Sequence, residues 1–224
     1  MGASGGPSIV HDSLVLGLES ADKNSYIGSG TTWTDLSPEG NNGTLNNGPT
    51  FDSGVGGSIV FDGDNDFLVT GGDIGDVFGT SFTIAMWVNP DDVDNRREFI
   101  GQYADSNNWW RWGNDELDNW EIDVQDGGSR TVSVNPDWTV VAGAWQHIAL
   151  SRNGSTWNFY RNGVLDGTGD DASTVPDVAA EVQIGNSTGA NFDGKISNTQ
   201  IYNRALSSKE VSQNFNAQRT RFGV

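Results

Sequence analysis

The feature of this sequence that most restricts its fold is a change of period close to the C-terminal end. Residues 194–202 alternate with a period of two and include β-branched side chains, which predicts a β-strand with Ile196 and Tyr202 on one face. Ser207 then precedes Glu210 by three residues, which is the spacing of a helix capping box. The sequence therefore predicts that a strand followed by a short helix closes the chain.

The rest of the chain carries a repeated strand-and-turn pattern. Residues 82–88 (FTIAMWV) are apolar almost throughout, which predicts a strand buried on both faces. Asn153–Gly154 and Asn162–Gly163 lie between alternating runs and predict hairpin turns in which both residues have positive φ. About a dozen short strands with turns between them predict an all-β fold, a two-sheet antiparallel β-sandwich with a short C-terminal helix.

The domain organisation is expected to be simple. No internal repeat or linker divides the sequence, so residues 9–224 are predicted to form one domain, and the Gly-rich residues 1–8 a flexible N-terminal arm. The N-terminal residues lack the basic and apolar regions of a signal peptide, and no apolar run is long enough to predict membrane insertion.

The net charge and the cysteine and histidine content exclude several functions. The chain has 30 acidic and 12 basic residues, and its formal net charge of −18 repels nucleic acids and anionic membranes. It contains no cysteine, which excludes disulfides, thiolate metal sites and thiol nucleophiles. Neither of its two histidines lies in a motif for nucleophilic acyl transfer.

Three segments, in order, resemble a known family. They are residues 83–90 (TIAMWVNP), 145–169 (WQHIALSRNGSTWNFYRNGVLDGTG) and 182–211 (VQIGNSTGANFDGKISNTQIYNRALSSKEV). Together they are similar to the laminin-G-like (LamG) jelly rolls of the concanavalin A-like lectin/glucanase superfamily, and in particular to versions found in tailed-bacteriophage virion proteins. The resemblance extends from about residue 10 to residue 224. It implies a jelly-roll fold, which hosts lectins, adhesion modules, enzyme accessory domains and virion proteins.

The resemblance implies a function that we treat as an expectation. It favours a non-catalytic virion surface protein of a bacteriophage, either a capsid decoration or a tail-associated protein, that binds glycans for adhesion. The expected partners are other virion proteins of the capsid or tail and a cell-surface glycan, with a homo-oligomer such as a trimer as the assembly. The alternatives are a secreted carbohydrate-binding module and, with less support, a glycoside hydrolase.

A cluster of tryptophans is the first candidate binding site. Exposed indole rings stack on the C–H faces of sugars, and the alternative is that the same rings fill the core between the sheets. Alternation places Trp110 and Trp112 on one face of a strand and Trp109 on the other. The candidate carbohydrate-binding residues are Trp109, Trp110, Trp112 and Trp120.

The segment WEIDVQD, residues 120–126, resembles a glycanase motif but lacks one acid. Glycanases of the superfamily carry three acidic residues on one strand, and here Glu121 and Asp123 match while Gln125 replaces the third. An amide cannot act as a general acid or base, so we predict no catalytic residues and no enzyme activity. We predict instead that Trp120, Ile122 and Val124 point inward and that Glu121, Asp123 and Gln125 form a solvated face of the strand.

Three aspartates form the candidate metal site. Asp62, Asp64 and Asp66 separate two apolar runs, residues 59–61 and 67–69, and the segment is predicted to be a hairpin with an acidic tip. The resemblance implies one structural Ca²⁺, and this tip is its candidate location. Phe67 stands where an EF-hand loop requires Gly, so the site is not an EF-hand. The alternative is an acidic turn without an ion.

Overall fold

The computed structural model describes residues 7–72, 74–117, 119–136 and 139–224. In these ranges the chain forms sixteen β-strands, two short 3-10 turns and one α-helix. The strands are β1 (Leu14–Glu19), β2 (Thr32–Trp33), β3 (Gly43–Asn46), β4 (Thr50–Asp52), β5 (Ser58–Asp62), β6 (Phe67–Thr70), β7 (Ser81–Pro90), β8 (Arg97–Asp105), β9 (Asn108–Asn114), β10 (Trp120–Asp126), β11 (Ser129–Val134), β12 (Gln146–Asn153), β13 (Thr156–Arg161), β14 (Val164–Asp170), β15 (Gln183–Ile184) and β16 (Asp193–Tyr202), and the helix is α1 (Ser208–Phe222).

The strands form two eight-stranded sheets that pack face to face. The first sheet has the order β14-β13-β12-β7-β16-β5-β4, with β1 also paired to β16. The second sheet has the order β11-β10-β9-β8-β15-β6-β3-β2. The paired strands are antiparallel, and apolar side chains from both sheets form one core between them. The predicted all-β two-sheet antiparallel sandwich with a C-terminal helix is therefore confirmed.

The central strand β7 shows why its sequence is apolar on both faces. Phe82, Ile84 and Met86 enter the core between the sheets, whereas Ala85 faces a second apolar cluster beneath α1. Trp87 lies on the same side as Ala85, and its ring stacks on that of Phe222 at a centroid distance of 3.9 Å. Each of these five β7 residues is at most 1% exposed, as a strand covered by a sheet on one face and a helix on the other requires.

The helix begins where the sequence predicts. The Ser207 side chain accepts the backbone N–H of Glu210, and the Glu210 carboxylate accepts the backbone N–H of Ser207. Arg204 pairs with Glu210 at 2.7 Å, and this interaction lowers the pKa of the carboxyl group to about 2. The helix ends at Gly223, whose φ of 75° is the left-handed conformation that favours glycine.

The two Asn-Gly pairs differ in how they turn the chain. At Asn162–Gly163 both residues have positive φ (49° and 77°), as predicted. Asn153 instead stays in β12 and pairs with Thr156, so Gly154 and Ser155 form the turn of that hairpin. The hairpin is confirmed, but its turn lies one residue later than the Asn-Gly rule places it.

Two strand-level predictions are wrong. A β-bulge at Ser197 interrupts the pairing of β16 with β7, so that Ile196 points into the core between the sheets while Tyr202 points towards α1. The prediction that Ile196 and Tyr202 share a face is wrong, because the extra residue at the bulge reverses the alternation of side chains beyond it. The predicted hairpin over residues 59–69 is also absent, since β5 belongs to the first sheet and β6 to the second.

Two further predictions concern the N-terminal arm and membrane insertion. Six of the eight residues of the predicted N-terminal arm, residues 1–6, lie outside the described part of the chain, and Pro7 and Ser8 are exposed. Among the described residues, no helix has both the length and the apolar character needed to cross a bilayer.

Candidate functional site

The outer faces of the two sheets have opposite characters. On the first sheet, α1 covers apolar and aromatic side chains such as Trp87 and Tyr202. On the second sheet, the outward side chains of β8, β9, β10 and β11 are charged, polar or aromatic. We call the following set the β9–β10 face: Tyr103, Trp109, Arg111, Glu121, Asp123, Gln125 and Arg130.

Strand register places these side chains in rows. Tyr103 on β8 and Gln125 on β10 both lie directly opposite Trp109 on β9. In the next row, Arg111 lies opposite Asp123. Directly opposed residues of an antiparallel pair have Cβ atoms about 4.5–5.5 Å apart, so each row is a ready-made surface of neighbouring side chains.

The aromatic row is accessible. Tyr103 is 38% exposed and Trp109 is partly exposed, in contrast to the other tryptophans of β9 and β10. The Arg111 guanidinium carbon lies 4.5 Å from the centroid of the Trp109 ring, so one face of the indole is held by a cation–π contact. The row is therefore both exposed and fixed in orientation.

The charged row is an ion-pair network. Arg111 Nη2 donates to Asp123 Oδ2 at 2.7 Å and lies 3.7 Å from Glu121 Oε2. Arg130 donates to both Asp123 and Glu121, and Arg96 lies 3.6 Å from Glu121. Because each carboxylate is held by at least two arginines, the network fixes the side chains of β10 without help from a ligand.

Burial of the carboxylates is the unexpected feature of this network. Asp123 is 3% and Glu121 8% exposed, so the predicted solvated face is wrong for these two side chains. Burial raises the pKa of Glu121, and the charge of Asp123 raises it further. Burial likewise raises the pKa of Asp123, against the opposing effect of Arg130. Arginines from three separate segments cover the strand, which is why its own sequence did not reveal the burial.

Glu98 supports the edge of the face and was missed by the sequence analysis. This fully buried carboxylate accepts the backbone N–H groups of Ser187 and Thr188 at 2.8 and 2.7 Å, together with both hydroxyls. Arg111 Nε lies 3.9 Å from the same carboxylate. Glu98 thus anchors the loop after β15 next to Arg111. An acidic residue directly before the apolar pair Phe99–Ile100 was the signal in the sequence.

The four predicted sugar-binding tryptophans do not form one site. Trp110, Trp112 and Trp120 are at most 1% exposed and lie in the core between the sheets. Their positions follow the core-filling alternative, because a ligand has no access to a ring that is packed between sheets. Only Trp109 of the four candidates lies on the outer surface. Tyr103, its neighbour across the sheet, was not among the candidates.

Two of the three predicted metal-ligating aspartates accept hydrogen bonds from the backbone of their own loop. Asp62 accepts the backbone N–H groups of Asp64 and Asn65, and Asp66 accepts that of Asp62. The loop is a connection between the two sheets rather than a hairpin tip. Among the described residues, no group of three or more His, Asp or Glu side chains is arranged to hold a metal ion. Asp62, Asp64 and Asp66 therefore do not fit the calcium ion that the resemblance implies.

A separate depression of about 570 Å³ lies away from the β9–β10 face. Residues 70–72 and 177–182 line it together with Ile74. No aromatic residue is among the described residues that line it. It therefore lacks the aromatic platform that makes the β9–β10 face the stronger candidate.

Comparison with known proteins identifies a family. The Laminin_G_3 family model, described as "Concanavalin A-like lectin/glucanases superfamily", matches residues 61–212, which is more than half of the chain. A comparison with curated protein sequences found no significant match.

Solved structures share the fold at low sequence identity. Domain 4 of AbnA, an extracellular GH43 arabinanase from Geobacillus stearothermophilus in complex with arabinotriose, has a TM-score of 0.70 and 19% identity over 91% of this chain and 98% of that domain. The binding domain of Paraclostridial Mosquitocidal Protein 1 has a TM-score of 0.71 and 19% identity over 92% of this chain and 52% of that chain.

A third similar structure comes from botulinum neurotoxin type C, whose cell entry depends on interaction with two ganglioside molecules. Its TM-score is 0.71 at 13% identity, over 93% of this chain and 52% of that chain. This chain thus spans about half the length of the two toxin structures. At these identities the likeness establishes the fold alone.

Proposed function

The chain belongs to the Laminin_G_3 family of the concanavalin A-like lectin/glucanases superfamily, and from this premise we propose that it is a carbohydrate-binding domain without catalytic activity. The proposed site is the β9–β10 face. The observation that carries the proposal is the row of Tyr103, Trp109 and Gln125, two accessible aromatic rings beside a polar side chain on a rigid sheet.

The chemistry of the face suits a sugar. An aromatic ring offers a flat apolar surface to the C–H groups of a sugar ring, and oriented polar side chains supply hydrogen bonds to its hydroxyls. Arg130 contributes such a group, because its side chain is 50% exposed although it is paired on one side with Glu121 and Asp123. The ion pairs hold these groups in place before binding, which lowers the entropic cost of association.

The same network argues against hydrolysis. A glycoside hydrolase needs one carboxylic acid to protonate the leaving group and a second carboxylate as nucleophile or base. Here Glu121 and Asp123 are both bridged by Arg130, and Arg111 also donates to Asp123. Burial raises the pKa of both groups, but the arginines occupy oxygens of both carboxylates, so neither is free to deliver a proton to a glycosidic oxygen.

The similar structures are consistent with this proposal. The arabinanase domain was solved with arabinotriose bound, and the neurotoxin acts through gangliosides, so both are associated with carbohydrate. The match covers almost the entire length of the arabinanase domain, so the likeness is to a whole domain of that enzyme.

The test is a glycan array followed by titration of tryptophan fluorescence with the best ligand. We expect Trp109→Ala to weaken binding by about tenfold or more, since stacking of a ring on a ligand contributes on the order of 1–3 kcal/mol. Trp145→Ala is the matched control. Trp145 is also partly exposed, but it packs against Phe222 of α1, the helix that covers the first sheet. Equal binding by wild type and Trp109→Ala would exclude the β9–β10 face as the site.

A second proposal concerns where the domain works. The sequence resemblance to tailed-bacteriophage virion proteins supports display on the head or tail of a virion, as an oligomer such as a trimer attached to other virion proteins. A secreted module is the alternative. Immunogold labelling of purified particles with an antibody against this chain tests the choice. Label on a regular lattice of the head or on the tail supports the virion, whereas unlabelled particles and free protein in the medium contradict it.

A further inference from the structure

The charge balance of the β9–β10 face limits which glycans it can accept. The ion pairs of this face, taken together with the adjoining Arg96 and Glu98, comprise three arginines and three carboxylates: Arg96, Arg111, Arg130, Glu98, Glu121 and Asp123. The formal charge of this group of six is zero. Of the 30 acidic and 12 basic residues in the chain, 27 and nine remain outside it, so the whole net charge of −18 surrounds a neutral site.

Each of the three arginines already has a carboxylate partner, since Arg96 also lies 3.6 Å from Glu121. Arg111 is engaged by Asp123 at 2.7 Å and by the Trp109 ring, and Arg130 bridges both carboxylates of β10. An acidic sugar that recruited either arginine would compete with carboxylates that are almost fully buried. A buried carboxylate that loses its partner is strongly destabilised, so the exchange is unfavourable.

The surroundings add a second penalty for an anionic ligand. Asp105 ends β8 and Asp126 ends β10, both are exposed, and both lie within two residues of the aromatic row along their strands. Together with the excess of acidic residues elsewhere, they give the approach to the face a negative potential. A ligand that carries carboxylate, sulfate or phosphate groups is therefore repelled before it makes contact.

A neutral sugar meets neither penalty. A hydroxyl can donate to a carboxylate and accept from a guanidinium, so it adds to an ion-pair network without breaking it. Arg130 donates from Nε to Asp123 and from Nη2 to Glu121, and a guanidinium has five N–H donors in total. Donors thus remain on the exposed side of Arg130 for sugar hydroxyls.

We propose that the β9–β10 face selects neutral oligosaccharides and rejects glycans that carry carboxylate, sulfate or phosphate groups. This inference rests on the proposed carbohydrate-binding function and adds the ligand class. It distinguishes between the two ligand types of the similar structures, since arabinotriose is neutral and gangliosides carry acidic sugars. The neutral ligand class proposed for this chain is that of arabinotriose.

The experiment uses the full chain and pairs of ligands that differ mainly in charge, such as a galacto-oligosaccharide and the matching galacturonide. Calorimetric titration is performed at about 50 mM and about 500 mM NaCl. We expect the neutral member of each pair to bind about tenfold tighter or more, with little effect of salt, because no counter-charge is neutralised on binding.

A charge variant makes the test independent of the overall fit of one sugar. Glu121→Gln removes one carboxylate and leaves the face with a net positive charge, so we expect it to improve binding of the acidic member about three- to tenfold relative to the neutral one. Asp166→Asn is the control: it removes a charge of the same sign from the first sheet, where Asp166 pairs with Arg161 at 2.9 Å. It should not change the relative affinity.

The outcomes separate the two proposals. Preferential binding of the acidic member by wild type, with a strong decrease at high salt, overturns the neutral-ligand inference and leaves carbohydrate binding intact. The absence of binding to either member of every pair overturns the proposed function itself, and the inference with it.

Discussion

The buried histidine beneath α1 predicts a loss of stability in mild acid. His147 is 1% exposed and packs between the rings of Trp87 and Phe215, at centroid distances of 5.4 and 6.0 Å. Among the described residues, neither ring nitrogen has a hydrogen-bond partner. Burial without a partner lowers the pKa of His147 from 6.5 to about 3.

The sign of the effect follows from proton linkage. Because the pKa is lower in the folded protein than in the unfolded chain, the unfolded chain binds the extra proton first as the pH falls below about 6.5. Each pH unit between the two values costs about 1.4 kcal/mol, so at pH 5 the penalty on folding is about 2 kcal/mol. A domain of ordinary stability has about 5–15 kcal/mol in total, so this loss is measurable.

The perturbation is His147→Phe, which keeps a flat ring of similar size and removes the titrating group. Urea unfolding of wild type and variant is measured at about pH 7.5 and about pH 5. We expect the wild type to lose about 2 kcal/mol more than the variant over this range. Other titrating groups, including Glu121 and Asp123 with their raised pKa values, are common to both proteins and cancel in the difference. Identical pH dependence in the two proteins would refute a buried neutral His147.

Three further substitutions test the packing. Asp123→Asn should destabilise the fold by about 3 kcal/mol in urea unfolding, because it leaves Arg130 without one of its buried partners, and a change below about 1 kcal/mol would contradict the network. Ser207→Ala should cost about 1 kcal/mol through loss of the helix cap, and an unchanged midpoint would contradict the capping box. Gly101→Ala should lower stability by about 3 kcal/mol, because its Cβ would meet the Trp110 carbonyl oxygen at 2.3 Å, and a neutral effect would show that β8 and β9 can separate.

Local sequence patterns predicted the strands and the helix better than they predicted which strands pair with each other. The apolar run of β7 and the capping box of α1 each depend on residues that are close in sequence, and both are confirmed. The assignment of β5 and β6 to one hairpin failed because alternation identifies a strand without saying which sheet it joins. Alternation also does not reveal the bulge at Ser197, because that residue contacts a distant part of the chain. Its hydroxyl donates to the Gly57 carbonyl oxygen, and the two residues are 140 positions apart.

The candidate site shows the same limit. The sequence placed Trp109 opposite to Trp110 and Trp112 by alternation, and the structure agrees. It could not show that Glu121 and Asp123 are buried, because the arginines that cover them come from β9, β11 and the segment before β8. The site is therefore a product of sheet topology.

The two outer faces of the sandwich explain why the proposed binding face lies on the second sheet. A sheet in a two-layer sandwich has one face in the core, so each outer face must be either covered or polar. The first sheet is covered by α1, where the Phe222 ring stacks on that of Trp87 at a centroid distance of 3.9 Å. The second sheet instead neutralises its own charges through Arg111, Arg130 and their carboxylates and leaves an aromatic row exposed. A change that loosens α1 without unfolding the sheets should therefore reduce stability and leave ligand affinity unchanged, because the helix and the β9–β10 face lie on opposite sides of the core.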